Sequence, residues 1–217
     1  MSQNYNDFLK TAYEDLSGEK ATKKKLELLN FLCEVLVNFE SDPIEPPSSA
    51  VLGLTANCGG SFTQCVSSAL NCITDKHFLF TNICNFIEEN KGERYSNILE
   101  SYKLKGKKIP GFGHPSVKGE DSRVVELMQK TKDLGINAPR LSFMVVISKR
   151  IEPELNIGGA AAAILLDLGL PRESAIYFPL ISRIFGWLKI FNKIKKINKP
   201  LSPSHKFLED HKKMFNE

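Results

Sequence analysis

The residues best suited to chemistry lie in one stretch, Lys107-Lys-Ile-Pro-Gly-Phe-Gly-His-Pro-Ser-Val-Lys-Gly-Glu-Asp-Ser-Arg123. Gly111 and Gly113 flank Phe112 just before His114. Glycine lets a backbone approach a ligand closely and adopt dihedrals that other residues refuse. A histidine carried on such a loop is held and accessible, as a general acid or base must be. Arg123 follows nine residues later, at the expected start of a helix, where its guanidinium could fork onto a carboxylate. Lys107, Lys108 and Lys118 supply positive charge for a phosphate-bearing ligand. The same pattern also fits a glycine-rich surface loop with an incidental histidine.

Other candidates carry less. Cys58 stands at a helix break, but no histidine is near it in sequence, so a structural thiol is the stronger reading. Cys58, Cys65 and Cys72 recur every seven residues, one stripe if a single helix holds them. Five cysteines without a CxxC pair suit free thiols in a reducing cytoplasm better than disulfides. His205 and His211 lack metal-ligand spacing, and no metal is expected.

The elements that must position the loop read as helices. Apolar residues recur at helical spacing over 21–39, and Pro43, Pro46 and Pro47 then break the chain. A second helix is expected from a Ser48 or Ser49 cap to Asn57, a third over 61–73, a fourth over 78–90 and a fifth over 95–104. Residues 119–134 form an amphipathic helix. Residues 141–151 contain the β-branched run FMVVI, which admits a strand, although length and neighbours favour a buried helix. Residues 156–168 are alanine-rich and apolar all round, hence a buried helix. Residues 176–197 form a long helix whose end turns basic. Its lysines could meet a membrane surface or another protein, but packing on its own domain or in a dimer seam is favoured.

The chain has 217 residues, 42% of them hydrophobic and 25% charged, which excludes collagen-like and wholly disordered classes. A net charge of +4 is too mild to argue for nucleic acid. No apolar run approaches the roughly 18 residues of a membrane span, and the N-terminus has no secretory pattern. A cytoplasmic location is expected.

At IPGFGHPxxKxxDxR the sequence resembles the citrate synthase and citryl-CoA lyase family, especially its short lyase-like members. Further stretches are similar: Pro47 to Ser61 to the family's PSTFAARVxASTGAD, Leu155 to Pro171 to its NVDG…LLxxLGxP helix, and Ser182 to Trp187 to its ARxxGW element. The resemblance implies an all-α fold, with a large helical domain (1–78 and 171–217), a smaller inserted helical domain (79–170), and a cleft between them. It implies a homodimer that binds an acyl-CoA and a small carboxylate, without a permanently bound cofactor. His114 matches the histidine that polarises the keto group, and His77 falls at the enolate-side histidine. Arg123 and Arg183 match arginines that hold substrate carboxylates. Pro110, Gly111, Phe112, Gly113 and Lys118 match the coenzyme A side.

The sequence also departs from the family pattern. Phe78-Leu79-Phe80 replaces the Gly-Gly-Ala expected after His77, and Gly158 stands where the catalytic aspartate is expected. Pro43 and Gly53 stand at a substrate histidine and an arginine, and an arginine expected late in the chain is replaced near Ser202. Glu154 is close upstream of Gly158 but would project from a different angle, and Asp167 is too far along the helix. The implied function is therefore a diverged enzyme, an inactive homologue that still binds, or a scaffold that has kept the fold only. The enzyme would form or cleave a carbon–carbon bond or hydrolyse a thioester. The homologue would bind coenzyme A or citrate, or pair with an active paralogue.

Overall fold

The computed structural model describes residues 3–37, 47–74, 79–114 and 119–197. Ten helices and no strand occur among them, so the expected all-α class is observed. In chain order these are α1 (Gln3–Ser17), α2 (Lys23–Val37), α3 (Pro47–Asn57), α4 (Phe62–Leu70), α5 (Phe80–Glu89), α6 (Tyr95–Leu104), α7 (Ser122–Asp133), α8 (Pro139–Ser148), α9 (Ile157–Asp167) and α10 (Tyr177–Ile197). They fall into two compact units, residues 1–41 with 74–183 and residues 42–73 with 184–217. These limits lie elsewhere than the 78/79 and 170/171 boundaries expected for a large and a small domain.

The first unit is organised on α9. Ala160 to Leu165 have no measurable exposure, which only an all-apolar helix tolerates. Helices α5 and α8 pack along it. Its C-terminal end is tied down by polar groups. Asp167 accepts hydrogen bonds from the backbone N–H groups of Arg140 and Leu141, each at 3.0 Å, which caps the first turn of α8. Arg140 in turn pairs with Glu88 on α5. The fully buried Tyr13 of α1 donates from its hydroxyl to the Leu168 carbonyl (2.6 Å) and accepts from Lys25 Nζ (2.7 Å). Lys130 of α7 reaches Glu27 of α2 at 2.6 Å.

The second unit contains α3, α4 and residues 184–197 of α10. Its buried apolar set is small: Leu52, Ala56, Cys65, Ala69, Trp187 and Ile190. Trp187 donates from Nε1 to Ser49 Oγ at 3.2 Å. Ser61 and Gln64 form a reciprocal capping box at the start of α4.

Two local expectations change, and the helix favoured over 141–151 is observed. Helix α3 begins at Pro47, so Ser48 and Ser49 are buried inside it rather than capping it. Proline suits a first helical position, where its missing N–H has no partner to lose. Cys58 and Cys72 lie outside helices, and only Cys65 is helical, so the three cysteines form no stripe. Segment 139–148 is a helix, started by Pro139. All five cysteines are free thiols. Burial pushes Cys33 up to about 11 and Cys84 up to about 12, leaving both unreactive.

Candidate functional site

The loop after α6 is fastened to the start of α9 by main-chain geometry. Phe112 and Leu155 form an isolated antiparallel bridge. Gly113 N–H donates to the Glu154 carbonyl at 2.8 Å, and Asn156 N–H donates to the Gly111 carbonyl at 3.0 Å. Asn156 contributes its side chain twice. Its Oδ1 accepts from Gly159 N–H (2.9 Å), the N-cap of α9, and its Nδ2 donates to the Gly113 carbonyl (2.5 Å). His114 follows directly on this clamp.

The glycines explain how close the two segments come. Gly111 and Gly113 have φ of +90° and +77°, a region other residues enter only with strain. A Cβ on Gly159 would lie 2.5 Å from the Gly111 carbonyl oxygen, and one on Gly111 would lie 3.0 Å from Gly159 Cα. A Cβ on Gly113 would lie 2.6 Å from Pro153 Cγ. The close approach that Gly111 permits is thus an approach to α9, and Gly111 itself is buried. Phe112, Gly113 and the half-buried His114 line a cleft of about 1220 Å³. Lys103, Lys107, Lys108 and Arg150 bring positive charge to its walls, Tyr102 and Ile109 apolar surface, and Asp121, Glu152 and Glu154 carboxylates. The walls extend through Asn156; Gly158 is not part of them. A second hollow of about 640 Å³, between α7 and α8, shares Asp121, Arg150, Glu152 and Glu154 with the first.

Asp121 is the most constrained carboxylate of the site. It is 3% exposed and caps α7 by accepting from Arg123 N–H at 3.2 Å. It also takes both prongs of the Arg123 guanidinium at 2.8 Å, Nε on Oδ1 and Nη2 on Oδ2. Oδ2 accepts in addition from Ile157 N–H at 3.2 Å, the first residue of α9. Burial alone would raise its pKa, but the hydrogen bonds and charge of Arg123 and the two backbone donors outweigh this and hold it below the usual range. Arg123 therefore does fork onto a carboxylate, that of Asp121. Arg183 is buried on α10, and its pKa is pushed down to about 10, by burial first and by the positive charge of Arg123 second. The two guanidinium groups expected to bind carboxylates are thus within electrostatic reach of each other.

Gly158 is the second residue of α9. A Cβ there would lie 3.2 Å from Asn156 Oδ1 and 3.5 Å from Ile83 Cδ1, so the position is open enough for a side chain with a slight shift of Asn156. His77 and Lys118 lie outside the described residues, as do Phe78, His205 and His211. Phe80 is buried in the core, consistent with packing. Among the described residues no group of His, Cys, Asp and Glu could hold a metal ion, and no helix is long and apolar enough to cross a membrane.

Sequence reasoning missed Lys103 and Arg150 in the cleft and the double clamp by Asn156. Asn156 before Gly-Gly was legible as a helix cap; its grip on Gly113 needs the fold. Arg150 also stacks on Tyr95, 5.1 Å from the ring centre, a contact between residues far apart in sequence.

A family model described as citrate synthase, C-terminal domain, matches residues 12–200. Comparison with curated proteins gives no match. Among solved structures, a citryl-CoA lyase from Hydrogenobacter thermophilus is similar with a TM-score of 0.78 at 24% identity, covering 90% of this chain and 78% of that one. A Methanosaeta concilii ATP citrate lyase in complex with (3S)-citryl-CoA gives 0.74 at 14% identity, over 86% of this chain and 34% of that one. A citrate synthase from Thermotoga maritima gives 0.70 at 21% identity, over 88% and 55%. The chain thus spans about a third of that ATP citrate lyase and about half of that citrate synthase. At these identities the likeness is one of fold.

Proposed function

Since this chain belongs to the citrate synthase family, we propose that its His114 cleft binds an acyl-CoA together with a small carboxylate. It acts on them by forming or cleaving a carbon–carbon bond or by hydrolysing the thioester. The observation that carries this reading is the clamped histidine, at the wall of a cleft whose lysines suit a phosphate-bearing ligand. His114 donates to the keto oxygen that becomes a hydroxyl, or accepts that proton in the cleaving direction. Arg123 and Arg183 are assigned to the substrate carboxylates, as the family resemblance implies, with Arg123 oriented by its fork onto Asp121. Phe112, Gly113 and Lys118 take the coenzyme A side, with Pro110 and Gly111 shaping the loop. His77 is assigned the enolate side. Coenzyme A enters as part of a substrate or ligand. The relatives named above that carry citryl-CoA in their description support that ligand class.

We further propose a homodimer in the cytoplasm, with no nucleic-acid partner. Phe185 (52% exposed) and Leu188 (37%) lie on the second unit's stretch of α10, as apolar surface a second copy could cover. One observation favours a second reading. Gly158 cannot take a proton, which suits an inactive homologue that binds coenzyme A or citrate or pairs with an active paralogue. Mass-spectrometric turnover of citryl-CoA, with His114→Ala as control, separates the two. Loss of substrate that needs His114 supports the enzyme, and the product masses distinguish cleavage from hydrolysis. Binding without turnover supports the second reading, and neither binding nor turnover rejects both.

A further inference from the structure

We infer that Glu154 is the proton acceptor of the His114 cleft, in place of a carboxylate at Gly158. This rests on the reading that a coenzyme A thioester binds there. Proton abstraction next to a thioester needs a carboxylate that is ionised, accessible and held close to the histidine loop. Three carboxylates line the cleft: Asp121, Glu152 and Glu154. Asp121 has its lone pairs committed to Arg123 and Ile157, is almost fully buried, and has its basicity lowered by those bonds. It holds a guanidinium and caps two helices, and is a poor base.

Glu154 differs in burial and in hydrogen bonding. It is exposed, and its carboxylate accepts no hydrogen bond among the described residues. Its main chain is nevertheless fixed. Its carbonyl accepts from Gly113 N–H at 2.8 Å, and its neighbour Leu155 is bridged to Phe112. In this antiparallel register Glu154 stands opposite Gly113, the residue before His114, and Glu154 and His114 both line the cleft. Glu152 lies two residues further from the clamp. An exposed carboxylate on a fixed main chain, lining the same cleft as His114, is what the reaction asks for.

The step balances as follows. Glu154 takes a proton from the carbon beside the thioester carbonyl. The C–H bond breaks, its electron pair becomes the carbon–carbon double bond of an enolate, and negative charge moves to the thioester oxygen. In the cleaving direction the Glu154 carboxylic acid returns that proton to the enolate carbon.

Acetyl-CoA in deuterium oxide reads this directly, by mass spectrometry of its methyl protons, with and without a four-carbon dicarboxylate. The wild-type chain is expected to catalyse exchange. Glu154→Gln is expected to slow it about 100-fold or more, with acetyl-CoA affinity changed less than about threefold. Glu154→Asp retains part of the rate, and adding Gly158→Asp to Glu154→Gln restores some of it. Glu154 is exposed, so the variants are expected to fold, and their melting checks this. Exchange that is unchanged in Glu154→Gln, or acetyl-CoA that binds to the wild type without exchanging, overturns the inference and leaves the binding site standing. Absence of acetyl-CoA binding overturns the reading of the site as well.

Discussion

The two flanks of α9's first turn are built to different degrees. On one flank Asp121 caps α7, takes the Arg123 fork and reaches Ile157 N–H, so one buried carboxylate joins two helix starts. On the other flank, the second residue of α9 is Gly158, which carries no side chain and leaves room for one. The Asp–Arg half of the signature thus has a role in folding whether or not Arg123 also meets a substrate. A motif residue can be present because the fold needs it, whatever happens to the chemistry. His114 is the better reporter of function, because the clamp beside it is made by Gly111, Gly113, Glu154 and Asn156 and leaves the imidazole on the cleft wall.

Removing the built flank is expected to have the largest effect. Asp121→Ala leaves Arg123 without its bidentate partner in a largely buried place and uncaps α7, a loss of about 3–5 kcal/mol. Urea unfolding at neutral pH measures it. Asp121→Asn sharpens the cause. The Asp121 pKa is lower in the fold than its ordinary 3.8, so its ionisation contributes stability that is full above that value and fades as the pH falls through the lower, folded value. The stability gap between wild type and Asp121→Asn is expected to be constant down to about pH 4 and to narrow below it. A gap that persists unchanged at pH 2 would assign the effect to packing. Gly159→Ala comes next. Its Cβ would meet the Gly111 carbonyl at 2.5 Å and Leu155 Cδ1 at 2.6 Å, so the loop and α9 must part, at about 1–3 kcal/mol. The same displacement moves His114, so any His114-dependent turnover is expected to fall more than the melting temperature suggests. Turnover that falls only in proportion to the folded fraction would show that the clamp does not position the histidine.

How much of this was legible depended on whether the signal was local. Helix α9 was readable because a run of small apolar residues without a polar face has few other destinations, and α6 because its ends carry clear breaks. Helix α1 was not read, although Leu9, Ala12, Tyr13 and Leu16 recur at helical spacing. Its anchor is Tyr13 on the Leu168 carbonyl, 155 positions away, and its polar residues dilute the pattern. In the site, His114 and Arg123 stood out by type and spacing, and Arg183 only through the resemblance of Ser182 to Trp187 to a family element. The Gly111–Gly159 contact did not, because it is a meeting of two backbones from distant segments. Nor did the choice among Asp121, Glu152 and Glu154, since burial and hydrogen bonding decide which carboxylate can act as a base, and sequence shows neither.

The smallest expected effect on stability falls on the bare flank, and that makes it the sharpest test of function. Alanine at 158 gains about 0.5–1 kcal/mol from a stiffer chain in the unfolded state and loses part of it to the 3.2 Å approach to Asn156 Oδ1. Aspartate there gains a further few tenths from the positive end of the α9 dipole. The Asp121 carboxylate, bonded to the preceding N–H, repels it by a similar amount. Both variants are expected to melt within a few degrees of wild type. Against that flat background, a rise in citryl-CoA turnover in Gly158→Asp that Gly158→Ala does not share would mean that the remaining groups of the cleft are already in working positions. No rise, in a stably folded variant that still binds coenzyme A, would mean that substrate does not come within reach of the start of α9. The rescue of Glu154→Gln by Gly158→Asp would then fail as well.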